Sequence, residues 1–141
     1  MSARTALAIQ WTSILILHLS GYTAFPKTSN ECDIAFFLST QITRLPDGLA
    51  DLAVNISSLH EMRPEQIAFY FSQFDRLLKV GGQFYFKEWK RGALPFENLI
   101  ISQEDYPVPV SWNCELSRDA PIQTRFFEAR CRKSGRDPAG N

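Results

Sequence analysis

The 141-residue sequence has no excess of either charge, no closely spaced cysteine pair and no long uninterrupted apolar run. Lys plus Arg and Asp plus Glu are 15 each, so the formal net charge is +0. That balance excludes a nucleic-acid binder working through bulk charge and a polybasic membrane binder. The three cysteines, Cys32, Cys114 and Cys131, form no C-x-x-C pair, so zinc-ribbon and thioredoxin-like readings fail. An odd number so widely spaced reads as reduced thiols in a cytoplasmic protein. The mean hydropathy of -0.18 excludes a polytopic membrane protein. What is present is ordinary for a globular chain, with 45% hydrophobic and 21% charged residues. The length suits one domain with one core.

The most apolar stretch runs from Thr5 to Phe25, with Gln10, Thr12, Ser13 and His18 inside it. These interruptions weaken a membrane span, which needs about 20 predominantly apolar residues, and no stable span is expected. A helical, buried segment over residues 1–30 is the expectation. A signal segment or anchor, which would make the protein secreted or anchored, and non-native sequence from a displaced gene start are the alternatives. Residues 133–141 (KSGRDPAGN) are polar and rich in breakers, and are expected to be a disordered tail.

Between these ends the pattern is clearer. Residues 33–38 (DIAFFL) and 52–56 (LAVNI) read as buried strands separated by the turn signal Pro46-Asp47-Gly48. Residues 64–80 read as a helix. Pro64 suits the first helical position, Glu65 the first turn, and Ile67, Phe71, Phe74 and Leu78 form one apolar stripe. Gly81-Gly82 reads as its left-handed cap, and residues 83–87 (QFYFK) as the next strand. Strand, helix and strand make a βαβ unit with a right-handed crossover. Residues 110–116 and 124–132 read as two further strands. The fold class is therefore α/β, with a mostly parallel sheet and an antiparallel edge.

Ligands of open α/β sheets bind beyond the carboxyl ends of the strands. Here that edge carries Asn55-Ile56-Ser57-Ser58-Leu59-His60-Glu61-Met62, a density of polar groups that is costly to bury without purpose. A second edge is Lys87-Glu88-Trp89-Lys90-Arg91-Gly92. Ser57 and Ser58 have no partners in a triad pattern, which argues against a hydrolase. The spacing of Glu104 and Asp105 demands no metal, and none is expected.

Residues 51–90, and above all NISSLHEM followed by the aromatic helix, resemble the sugar O-methyltransferase family of class I S-adenosylmethionine-dependent enzymes. The similarity runs from Cys32 to Arg132, so that residues 31–132 would be the carboxyl-terminal part of such a domain. The resemblance implies that residues 33–38, 52–56 and 83–87 are the family's third, fourth and fifth strands. It implies cofactor contacts from Ser39, Thr40 and Gln41 after the third strand, and from Asn55, Ile56 and Ser57 at the end of the fourth.

The acceptor, a small molecule with a hydroxyl such as a sugar, would then lie near Ser58, Lys87, Trp89 and Lys90. His60 is a candidate base, because an imidazole titrates near neutrality; a structural histidine bonded to backbone is the alternative. Glu61 is a candidate base or an orienting group for His60, or simply an acid favoured near the next helix. Asn55 either holds the cofactor or acceptor or pairs across a turn. Lys87, Trp89 and Lys90 either line the acceptor site or form a solvated strand end.

The departures from the family are as informative. Such enzymes carry a glycine-rich loop after the first strand and an acid after the second. Here Gly21 is the only glycine before Gly48, and Glu31 and Asp33 are poorly placed for the ribose. In the family sheet the first strand lies between the second and the fourth. Without it the fourth strand would have an open apolar edge. The third strand is expected to slide into that place, or a partner chain or second copy to pair there. A non-catalytic remnant or partner-dependent subunit of the same fold is the alternative function.

Overall fold

The computed structural model describes the backbone of residues 4–11, 13–20 and 34–38, and backbone and side chains of residues 39–93 and 99–135. The strands are β1 (Arg4–Trp11), β2 (Ser13–Ser20), β3 (Ile34–Leu38) and β4 (Ala50–Ile56). Then come α1 (Pro64–Leu77) and β5 (Leu78–Trp89). The short strands β6 (Arg91–Ala93) and β7 (Ile100–Ser102) form a hairpin of their own. The strands β8 (Trp112–Asp119) and β9 (Phe126–Lys133) complete the main sheet, whose order is β3-β1-β2-β4-β5-β9-β8.

The fold is α/β, but its sheet is not mostly parallel. Only β1–β3 and β4–β5 pair in parallel, and the other four pairings are antiparallel. The main cause lies in the amino-terminal segment, which forms the hairpin β1–β2 where a helix was expected. Polar Thr12 and Ser13 divide the apolar run, and β2 is rich in β-branched and leucine residues. A strand there also satisfies the open backbone groups of β4, a non-local gain that outweighs local helix preference.

The place beside β4 is thus taken by β2, in antiparallel register with Leu17 opposite Ala53. It is not taken by β3, which pairs in parallel with β1 instead. With β2 on one side and β5 on the other, β4 has no open edge for a partner. Through these pairings β3, β4 and β5 run the same way, so their carboxyl ends share one edge of the sheet.

The core lies between α1 and the face of β4, β5 and β9. Ile67, Phe71, Phe74 and Leu77 of α1 are buried there, against Phe84, Phe86 and Phe127. Phe74 meets Phe84 with ring centres 4.6 Å apart, and Phe71 stands perpendicular to Phe84 at 5.6 Å. Such pairs add about 0.5–1.5 kcal/mol each beyond burial. They also set which residues of β5 face inward.

The helix stops at Leu77, three residues before its expected end, because Lys133 closes it. The Lys133 ammonium donates to the carbonyls of Asp75 and Leu78, and Trp112 Nε1 donates to Asp75 Oδ1 at 2.7 Å. Lys133 is therefore part of β9 rather than of a disordered tail; residues 136–141 lie outside the described residues. Gly81 has a positive φ of 80°, inside β5 rather than at the helix cap. Next to it, a Cβ at Gly82 would stand 2.8 Å from the Lys79 carbonyl oxygen and 3.2 Å from that of Ala50. Only glycine lets β5 approach β4 there.

Arg76 of α1 donates to the carbonyls of Ile42 and Leu45 and to Asp47, pinning the turn before β4 to the helix. Cys114 and Cys131 do not remain reduced thiols: they face each other across β8 and β9 and are joined as a disulfide. The strand register, which spacing alone does not reveal, brings them together. Among the described residues no helix is long and apolar enough to cross a membrane.

Candidate functional site

The end of β4 is built to turn sharply. Ser57 adopts a left-handed φ of 58°, a conformation that costs a residue with a side chain about 1–2 kcal/mol. Its N–H still donates to the Lys87 carbonyl at 2.8 Å, so the sheet is continuous up to that point. The turn then aims three consecutive N–H groups at one place. Ser58 N and Leu59 N donate to Glu88 Oε1 at 3.1 and 3.2 Å, and His60 N donates to Glu88 Oε2 at 3.2 Å. A fourth donor is His60 Nδ1, 2.6 Å from the same Oε2.

Glu88 is fully buried, the one acid on a face of β5 otherwise given to Phe84 and Phe86. Burying a carboxylate unpaired would cost several kcal/mol; here each oxygen accepts two hydrogen bonds. The geometry fixes the histidine tautomer. A carboxylate that accepts from Nδ1 leaves Nε2 as the nitrogen with the free lone pair of the neutral ring. Nε2 has no hydrogen-bond partner among the described residues. The ring itself stacks on Trp89, centres 4.2 Å apart and planes 14° apart, and meets Phe126 edge-on at 6.0 Å.

Around this pair lie the other residues singled out from sequence. Asn55 is buried and its Oδ1 accepts from the Ser58 hydroxyl at 2.9 Å, while Ile56 is half exposed beside it. Lys87 Nζ donates to Gln123 at 2.6 Å and lies over the Phe126 ring. Lys90 Nζ pairs with Asp119 at 3.0 Å. Lys87 thereby ties the loop between β8 and β9, and Lys90 the end of β8, to the carboxyl edge.

Ser39, Thr40 and Gln41 open a short 3-10 helix directly after β3. They share the edge but lie three strand places from β4, roughly 14 Å at the usual strand spacing. Glu61 is exposed and makes no bond to His60; the orienting carboxylate is Glu88 instead. Glu88 was not singled out from sequence, although a lone acid at an inward position of an aromatic strand was a usable signal.

A second buried polar group adjoins the dyad. The Tyr106 hydroxyl is buried among Phe71, Phe86 and Phe127 and has no hydrogen-bond partner among the described residues. Burial, and then the negative charges of Glu88 and Asp105, push its pKa far above the usual tyrosine value.

No family model matches the chain. No curated protein matches it either. Solved structures do. A protein described as a type 11 methyltransferase from Sulfolobus solfataricus aligns with a TM-score of 0.55 at 17% identity, over 75% of this chain and 62% of its own. An S-adenosylmethionine-dependent methyltransferase from Methanosarcina mazei aligns with a TM-score of 0.54 at 12% identity, over 78% and 73%. A complex of DhpI with S-adenosylhomocysteine aligns at 0.51 and 15% identity, over 74% and 57%. The chain spans about three fifths of the length of the first structures it matches. These likenesses establish the fold, that of part of a methyltransferase domain.

Proposed function

We propose that this chain corresponds to the carboxyl-terminal part of an S-adenosylmethionine-dependent O-methyltransferase domain, with a sugar hydroxyl as acceptor. The observation that carries the reading is the His60–Glu88 pair at the carboxyl end of β4, the strand that the resemblance reads as the family's fourth. His60 Nε2 takes the proton of the acceptor hydroxyl. Glu88 holds the ring in the required tautomer and stabilises the imidazolium that results.

The residues present fit one part of the cofactor. Ser39, Thr40 and Gln41 would hold its adenine end, and Asn55, Ile56 and Ser57 would lie beside its methionine end. Asn55 keeps its side-chain amide N–H groups free of described partners, and the left-handed turn at Ser57 opens the backbone there. When bound, the cofactor would supply a methyl group on a sulfonium, open to direct attack by a correctly aligned oxygen, with the C–S bond breaking and the neutral thioether leaving. Lys87 and Lys90 would border the acceptor, whereas Ser58, expected there from sequence, is buried with its hydroxyl donated to Asn55.

Calorimetric titration with S-adenosylhomocysteine tests the reading. Binding near micromolar affinity, about −8 kcal/mol, is expected. With cofactor and a panel of sugars, His60→Ala should then lower methyl transfer by about 10²–10⁴-fold, the usual contribution of a positioned base.

The second reading, a non-catalytic or partner-dependent relative, is favoured by the direction of β2. Beside β4 the carboxyl edge receives the start of β2 at Ser13, not the end of a parallel strand followed by a glycine-rich loop. A folded chain that binds no S-adenosylhomocysteine would support it.

A further inference from the structure

We propose that Trp89 and Gly92 form a clamp that fixes the imidazole of His60, and that Trp89 is a positioning residue rather than a platform for the acceptor. The proposal deepens the reading of His60 as a base and rests on it. The Nδ1–Glu88 bond alone anchors one atom of the ring. It leaves the ring free to pivot about that bond and to swing Nε2 away from the carboxyl edge. The indole of Trp89 removes this freedom by lying nearly parallel to the imidazole at 4.2 Å. The face of Trp89 that would suit a sugar is thereby occupied. Phe126 bounds both rings edge-on, at 6.0 Å from His60 and 6.3 Å from Trp89.

Trp89 holds this position because of Gly92. A Cβ built at residue 92 would stand 1.9 Å from Trp89 Cε3 and 2.6 Å from Cζ3, far inside contact distance. The backbone of Gly92 lies outside the left-handed region, unlike that of Gly48 or Gly81. Space for the indole, not conformation, demands a glycine there. The backing is firm. Gly92 pairs with Ile101, whose side chain is buried, and the adjoining backbone is held by Gln103 N to Lys90 O and Lys90 N to Arg125 O, both 2.9 Å. A new methyl group at residue 92 therefore displaces the indole rather than the hairpin.

The test is the NMR spectrum of the imidazole in 15N-histidine-labelled full chain, read without cofactor or acceptor. The sequence has only two histidines, His18 and His60, and a His60→Gln sample identifies the signals. In the parent protein the ring protons of His60 are expected upfield, shifted by the stacked indole. Gly92→Ala should abolish that displacement in a protein that still melts cooperatively. Trp89→Phe in the same chain should restore part of it, because the smaller ring can withdraw from the methyl group and still stack. Trp89→Leu, which leaves the backbone of the hairpin untouched, should abolish it as well and covers the case in which Gly92→Ala does not fold. A Gly92→Ala protein of lowered melting temperature with unmoved His60 signals would mean that the glycine is merely structural and would overturn the proposal. So would retention of the shift in Trp89→Leu. The spectrum is independent of turnover, so failure of the clamp and failure of methyl transfer are separate results.

Discussion

Replacing Glu88 by glutamine changes one oxygen for an NH2 group and nothing in size, yet it should be among the most damaging substitutions in this chain. Four donors converge on the carboxylate, two on each oxygen. The amide oxygen can serve only two of them, and the NH2 group must then face N–H donors. If it faces His60, the backbone N–H of that residue is left unpaired. Nδ1 can be satisfied only by giving up its proton and accepting. Two hydrogen bonds to a charged acceptor are lost, each contributing about 1.5–3 kcal/mol, so the minimum cost is about 3 kcal/mol. The unfolding entropy is about 2.1 cal/mol/K per residue. Over 141 residues, 3 kcal/mol then corresponds to a melting temperature lowered by about 10 °C. The same exchange moves the imidazole proton to Nε2, which removes the lone pair needed for a base. Thermal unfolding followed by circular dichroism reads the first effect, and 15N shifts of His60 read the tautomer. A Glu88→Gln protein melting within about 2 °C of the parent, with its Nδ1 proton in place, would refute the reasoning.

Three further expectations concern stability. Tyr106→Phe removes a buried hydroxyl that has no partner among the described residues and should raise stability by about 1 kcal/mol. The fold favours the protonated phenol, so its contribution is intact below pH 10 and is lost as pH rises from there toward the raised folded-state value. Denaturant melts at alkaline pH should therefore fall less steeply for the variant, and equal slopes would refute the assignment. Cys114→Ser opens a disulfide with a sequence separation of 17, a loop whose closure is worth about 3 kcal/mol; a melting temperature indifferent to both the substitution and reductant would contradict the pairing. Gly82→Ala places a methyl group 2.8 Å from one backbone oxygen and 3.2 Å from another. Relieving the contact within β5 and the one against β4 should cost about 1–3 kcal/mol, and an unchanged urea midpoint would show that the backbone yields freely there.

The parts of the fold legible in the sequence are those set by local pattern. The stripe Ile67, Phe71, Phe74 and the proline at the start located α1, an apolar and β-branched run located β4, and the Gly81-Gly82 break located the strand that follows the helix. What escaped depends on distant partners. The segment before Ser20 has the apolar density of a helix or a strand. The open edge of β4, some 30 residues further along the chain, decides between them. The end of α1 is decided by Lys133, and the disulfide by the register of β8 on β9, including its irregularity between Cys114 and Leu116. The polar run from Asn55 to Met62 stands out as a candidate site because so many polar groups follow a buried strand. The choice of Glu88 over Glu61 does not, because it depends on which face of β5 turns inward.

The two readings of function separate along the sheet. The dyad needs only the βαβ unit. β4 delivers the turn and His60, β5 delivers Glu88, and the aromatic packing of α1 fixes the face of β5 from which Glu88 points. β2 supports β4 as far as Asn55 but supplies none of the groups of the dyad. On the proposed reading cofactor binding would depend on β1 and β2, because the glycine-rich loop and ribose-binding acid of the resembled family follow strands whose places β2 and β1 take here. The His60–Glu88 pair can therefore be intact in a chain that binds no cofactor. The spectroscopic state of His60 and the affinity for S-adenosylhomocysteine are thus independent quantities. An intact dyad without cofactor binding would place the defect at the β1–β2 hairpin, and a second polypeptide supplying a parallel strand beside β4 would have to displace β2 to correct it.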